Sequence, residues 1–201
     1  MIATALALGL AAGALHALTG PDHVAGVAPF AARRGRAAWR TGVAWGLGHA
    51  AGAAAAAAVA LALRAQIPGL EEGLSEWSER LVGLLLCVIG ALGLARILRQ
   101  RAAHDVPATR DRSVFGLGLV HGAAGISHLF AVLPALAFPG TLAPAAYLAA
   151  YALASLGAIA LLAIGIGGLA STSRPSLRNG VVAAAYASSL VVGALWLARA
   201  S

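Results

Sequence analysis

The sequence predicts an all-α membrane protein: six transmembrane helices arranged as two inverted three-helix repeats, with the first helix broken at Gly20-Pro21. Three observations predict it. The chain is 60% hydrophobic and 10% charged, with mean hydropathy +0.85, where a soluble domain carries about 25% charged residues. Six apolar runs approach or exceed the roughly 20 residues that cross a bilayer. A pattern of polar residues inside the first run recurs, in register, inside the fourth.

The runs extend over Ile2–Ala32, Thr41–Leu63, Leu81–Leu98, Val114–Phe138, Leu142–Ala170 and Gly180–Ala198. The first contains Gly20-Pro21, and proline removes an amide donor from the helix ladder. Thr19-Gly20-Pro21-Asp22 fits the start of a second half-helix, with Thr19 as N-cap and Asp22 in the capping-box position. This N-terminal run has no positive flank and reads as a retained span rather than a signal peptide. Gly42-x3-Gly46 and Gly48-x3-Gly52 in the second run are small-x3-small patterns that let helices approach closely.

Charge fixes the expected topology. All fourteen basic residues are arginine. Arg33, Arg34, Arg36 and Arg40 follow the first span, Arg96 to Arg112 follow the third, and Arg174 and Arg178 follow the fifth. The positive-inside rule puts these three loops in the cytoplasm and both termini outside. The opposite side carries Glu71, Glu72, Glu76 and Glu79, read as a solvated amphipathic turn, with Arg64, Arg80 and Arg199. Trp39 and Trp77 suit the two interfaces. A bacterial inner membrane is the expected location. With so much of the chain in lipid, the +7 charge says nothing of nucleic acid. Cys87 is the sole cysteine and excludes a disulfide framework or a two-cysteine redox motif. No enzyme class is favoured. A homo-oligomer is left open.

The repeat is the sharpest signal. Gly-Ala-Leu-His16-Ala-Leu-Thr-Gly20-Pro-Asp22-His23 is matched 105 positions on by Gly-Leu-Val-His121-Gly-Ala-Ala-Gly125-Ile-Ser127-His128, and Pro29 by Pro134. Three spans separate the copies, so the second is inverted. Repeat one covers about 1–100, a cytoplasmic loop about 99–112, and repeat two about 113–201, all in one transmembrane domain. Inverted repeats are the plan of many secondary transporters, whose sites lie near the midplane.

Six polar residues fall within reach of that midplane: His16, Asp22, His23, His49, His121 and His128. Asp22 is the lone carboxylate in any span. A charge there costs about 2.5–3.5 kcal/mol on insertion scales, so it should face inward, where such groups are functional. His16 and His23 are seven residues apart, about 10.5 Å on a straight helix. Two imidazoles on one metal need nitrogens roughly 3 Å apart, so only the Gly20-Pro21 break could bring these two together. Imidazole plus carboxylate suits first-row divalent ions. His49 has no counterpart in the second repeat, and His104, in a basic loop, reads as solvated.

His16-Ala-Leu-Thr-Gly-Pro-Asp22-His23 resembles the histidine-aspartate-histidine signature of nickel/cobalt transporters, closest to their UreH-type six-span branch, and His121-Gly-Ala-Ala-Gly resembles that branch's second motif. The better-known permeases have four residues between the first His and the Asp, against five here. The resemblance implies Ni²⁺ or Co²⁺ transport, with His16, Asp22 and His23 as ligands. Exporters of the wider group often carry a histidine-rich loop; here that loop holds only His104, which favours uptake. The alternatives are a metal exporter, or a proton-coupled transporter of a non-metal solute that uses the same groups as a relay.

Overall fold

A computed structural model describes residues 1–63, 70–100, 109–124 and 133–199. Among these it is all helical: α1 (Ile2–Thr19), α2 (Pro21–Arg34), α3 (Ala38–Leu63), α4 (Leu70–Gln100), α5 (Asp111–Ala124), α6 (Leu142–Thr172) and α7 (Pro175–Arg199), with 3-10 turns at Gly35–Ala37 and Leu133–Ala137. Four segments are long and apolar enough to cross a membrane: α1, Glu79–Arg99 within α4, α6 and α7. The protein is a helical membrane protein on that ground. Each of these helices turns large apolar side chains outward, among them Leu15, Leu84, Leu153 and Leu195, as a bilayer requires in place of a solvated polar face.

The break lies where the sequence puts it and is confined to one residue. Gly20 is extended (φ −74°, ψ 105°), with helix on either side. Its N–H still donates to the His16 carbonyl, and its own carbonyl accepts from His23 and Val24. Pro21 occupies the first turn of α2, where its missing N–H has no helical role. The expected cap is corrected: Gly20, not Thr19, is the N-cap. The Thr19 hydroxyl instead donates back to the Leu15 carbonyl at 2.8 Å, because Thr19 is still helical and the i−4 carbonyl is its nearest acceptor.

Glycine sets the packing, since a side chain at the contact points would meet backbone. Gly9 and Gly13 of α1 lie on the Tyr147 and Tyr151 backbone of α6, and Gly35 beside Ser171. The numbers rise together, so α1 and α2 run parallel to α6 for its whole length. Gly48 and Gly52 of α3 lie on Phe115 and Leu119 of α5, while Gly118 and Gly122 lie on Trp45 and His49. That pair is parallel as well. Gly42 and Gly46 meet Ala160 and Leu156, so α3 and α6 are antiparallel. Gly83 against Gly193 and Gly90 against Leu190 make α4 and α7 antiparallel too.

α2 is the interior element. From Ala25 to Ala32 every residue is buried, and Ser189 of α7 donates to the Ala25 carbonyl at 2.7 Å. The arginine-bearing ends gather at one end of the bundle: Arg34 and Arg40 both hold Asp111, and Gly35 lies beside Ser171. The three loops expected on one side are therefore together. The matched prolines differ, however. Pro29 is buried within α2, whereas Pro134 sits exposed in the 3-10 turn.

Candidate metal centre

Four helices deliver five polar side chains to one interior point. His16 comes from the last turn of α1, Asp22 and His23 from the first turn of α2, His49 from mid-α3 and His121 from the last turn of α5. The break accomplishes what a straight helix cannot: the His16 and His23 rings lie 4.7 Å apart, edge to face. His23, His49 and His121 are buried, and Asp22 is 15% exposed.

The contacts form a chain. Asp22 accepts at Oδ1 from His23 Nδ1 (3.2 Å) and faces His121 Nε2 with Oδ2 (3.1 Å). His23 turns its other nitrogen, Nε2, toward His49 Nε2 at 3.3 Å. With the Nδ1 proton on Asp22, a neutral His23 presents the Nε2 lone pair to His49 and to the His16 side of the cluster. Asp22 also lies in the first turn of α2, where the positive end of the helix dipole favours a carboxylate. A lone carboxylate inside an apolar bundle is thus compensated by two imidazoles and a helix terminus.

The donors sort into two overlapping trios. His16, His23 and His49 offer one ligand atom each within 4.8 Å of one another, and so do Asp22, His23 and His121. Imidazole nitrogens bound at 2.0–2.1 Å to a tetrahedral ion lie about 3.3 Å apart. The His23–His49 separation already has that value. His23 belongs to both trios, with Nδ1 facing Asp22 and Nε2 facing His49.

The expected residues are therefore largely united. His49, the unmatched histidine, stands fully within the cluster. His128 and His104 lie outside the described residues. Two side chains escaped the sequence reading. Trp45 is fully buried and tilts against His121 with ring centroids 5.5 Å apart. Its i, i+4 spacing to His49 put it on the same helix face, a signal that was available. Gly26 makes room for it: a Cβ there would come 2.5 Å from the Trp45 ring. Tyr151 lies 5.7 Å from His16, and only the α1–α6 pairing reveals it.

The chain is similar to two curated plant proteins. It is 31% identical over 204 residues, 94% of its own length, to "Chloroplast protein FOR GROWTH AND FERTILITY 2" of Arabidopsis thaliana. It is 34% identical over 160 residues, 70% of its length, to "Chloroplast protein FOR GROWTH AND FERTILITY 1" of the same plant. The chain spans about half the length of these relatives, 54% and 43% respectively. No family model matches the chain, and no solved structure matches it. These findings overturn the resemblance to UreH-type nickel/cobalt transporters: the relatives are chloroplast proteins of a plant. The short histidine-aspartate-histidine motif follows from the chemistry of the cluster and is too brief to carry descent. A bacterial inner membrane loses its support for the same reason.

Proposed function

We propose that this protein carries a divalent first-row transition-metal ion across a bilayer, by way of the His16–Asp22–His23–His49–His121 cluster. The observation that carries the reading is the sharing of His23 between two donor trios inside an apolar bundle. Three imidazoles, or two with a carboxylate, suit ions such as Co²⁺, Ni²⁺ or Zn²⁺. An ion held by His16, His23 and His49 has Asp22 behind His23, the carboxylate–histidine arrangement that orients a ligand and raises its basicity. An ion passing to the second trio keeps His23 and exchanges His16 and His49 for Asp22 and His121. Two nearby positions of unlike charge allow binding firm enough to strip water yet loose enough to release.

The helix pairings support an inverted repeat beneath the site. If α1 corresponds to α5, α3 to α6 and α4 to α7, the parallel pair α1–α6 becomes α5–α3, also parallel. The pairs α3–α6 and α4–α7 map onto themselves and are antiparallel, as an axis in the membrane plane demands. The site then lies between the repeats. Residues 125–132, with His128, fall outside the described structure, so the six-span count belongs to this proposal.

A second reading rests on the same contacts. His121, Asp22, His23 and His49 form a hydrogen-bonded string, which would equally relay protons for a non-metal solute. Calorimetric titration of the purified protein with Co²⁺, Ni²⁺ and Zn²⁺ separates the two. Near-stoichiometric binding that His23→Ala abolishes is expected. A wild-type protein that binds none of the three ions, yet moves protons in vesicles, would establish the relay instead.

A further inference from the structure

At the arginine-bearing end of the bundle an open cleft of 660 Å³ is lined, among the described residues, by Arg33, Arg34, Arg40, Arg110 and Arg112, with Asp111 as the one acidic residue of that described lining. These side chains come from the end of α2, the start of α3 and the start of α5. Five guanidiniums against one carboxylate give the lining a formal charge of +4. Asp111 is already engaged: Arg34 holds one oxygen and also the Thr109 carbonyl, and Arg40 holds the other oxygen at 2.8 Å. Arg34 is 12% exposed and forms part of the floor. Arg110 and Arg112, exposed, flank Asp111 in sequence at the start of α5.

We infer that this cleft binds a phosphate group. Topology alone would ask for arginines anywhere on this side of the membrane. It does not ask that arginines from two segments distant in sequence, the α2–α3 corner and the start of α5, line one concave space. Guanidinium forks match phosphate oxygens in geometry as well as charge. Residues from the first turns of α3 and α5 line the cleft, and the positive ends of those helix dipoles favour an anion there. Trp39, exposed one residue before Arg40, is of the residue type that favours the level of lipid headgroups. The phosphate can therefore belong to an anionic phospholipid of the facing leaflet or to a free phosphate ion. In either case it bridges the α2–α3 corner to α5, which hold His23, His49 and His121.

The test uses the full chain in nanodiscs and compares two double variants of equal charge loss: R110Q/R112Q in the cleft, and R174Q/R178Q on the same side but outside it. Arg110, Arg112 and Arg174 are exposed and Arg178 half-buried, and the Arg34–Asp111 tie is left intact. Thermal unfolding is followed with phosphatidylglycerol replacing phosphatidylcholine, and separately with inorganic phosphate against chloride at equal ionic strength. Each arginine near an anionic surface is worth about fivefold in affinity, so the cleft pair should lose roughly twenty-five-fold in apparent affinity for phosphate, read from the concentration dependence of the stabilisation. Stabilisation of wild type and R174Q/R178Q by phosphatidylglycerol alone identifies a lipid; stabilisation by inorganic phosphate as well identifies the free ion. The inference is overturned if neither phosphate probe stabilises the wild type, or if both double variants lose the effect equally, as diffuse charge would have them do.

Discussion

Asp22→Asn isolates the carboxylate from the fold. The side chain keeps its shape, but its charge and one acceptor are gone. In the wild type Asp22 meets His23 Nδ1 at 3.2 Å and His121 Nε2 at 3.1 Å. An asparagine accepts from one imidazole and confronts the other with an N–H, so one ring must turn or change tautomer. If His23 moves its proton to Nε2, the lone pair facing His49 is lost. Disturbing such an orienting contact costs about 10–100-fold in metal affinity. The charge adds to this. An ion on His23 Nε2 lies roughly 6–7 Å from the carboxylate, one imidazole and one coordinate bond away. A divalent charge at that distance, with an effective dielectric near 20, is attracted by about 5 kcal/mol at most. Orientation alone thus accounts for about 10–100-fold and charge alone for up to a few thousandfold, and a combined loss of at least roughly 10²–10³ is expected. Co²⁺ titration of purified wild type and variant, by calorimetry and visible absorption, measures it. The unfolding temperature is read in parallel. An affinity within about threefold of wild type, in a folded variant, would refute both the orienting role and the proximity of charge to ion.

Gly52→Leu should separate α3 from α5, because Gly52 lies directly on the Leu119 backbone. Overpacking of this kind costs about 1–3 kcal/mol, and the variant should unfold earlier and bind Co²⁺ more weakly as His49 and His121 part. Asp111→Asn should cost at least about 1 kcal/mol: solvent screens the Arg40–Asp111 pair, but Arg34, 12% exposed, loses its carboxylate partner. Burial raises the Asp111 carboxyl, but hydrogen bonds from Arg34 and Arg40 outweigh it and hold the group below the usual carboxylate range. The tie therefore stabilises fully above the ordinary carboxyl pKa of about 3.9 and is lost only as pH falls through the depressed value. The difference in unfolding temperature between wild type and Asp111→Asn should stay constant from about pH 5 to pH 8; a difference that vanished by about pH 5.5 would contradict the tie.

What the sequence determined by itself is local or compositional. An apolar chain with arginines concentrated in alternate loops dictates helices in a bilayer and the side on which their ends meet. Gly20-Pro21 dictates a break, because proline has no amide to give and glycine accepts the extended angles. The inward direction of Asp22 follows from the cost of a charge in lipid. The choice of cap was misjudged, since Thr19 had a nearer acceptor in its own helix than in the next. Only the tertiary structure decided how the donors divide. The place of His49 beside His121 comes from α3 lying on α5 at glycine contacts, and its place beside His23 from α2 packing on α3 where Gly26 meets the Trp45 ring, which no span of sequence contains. Trp45 and Tyr151 reach the cluster through the same helix pairings. The split of the cluster into two trios depends on which His23 nitrogen faces which helix, and that is set when α2 is buried among α3, α6 and α7.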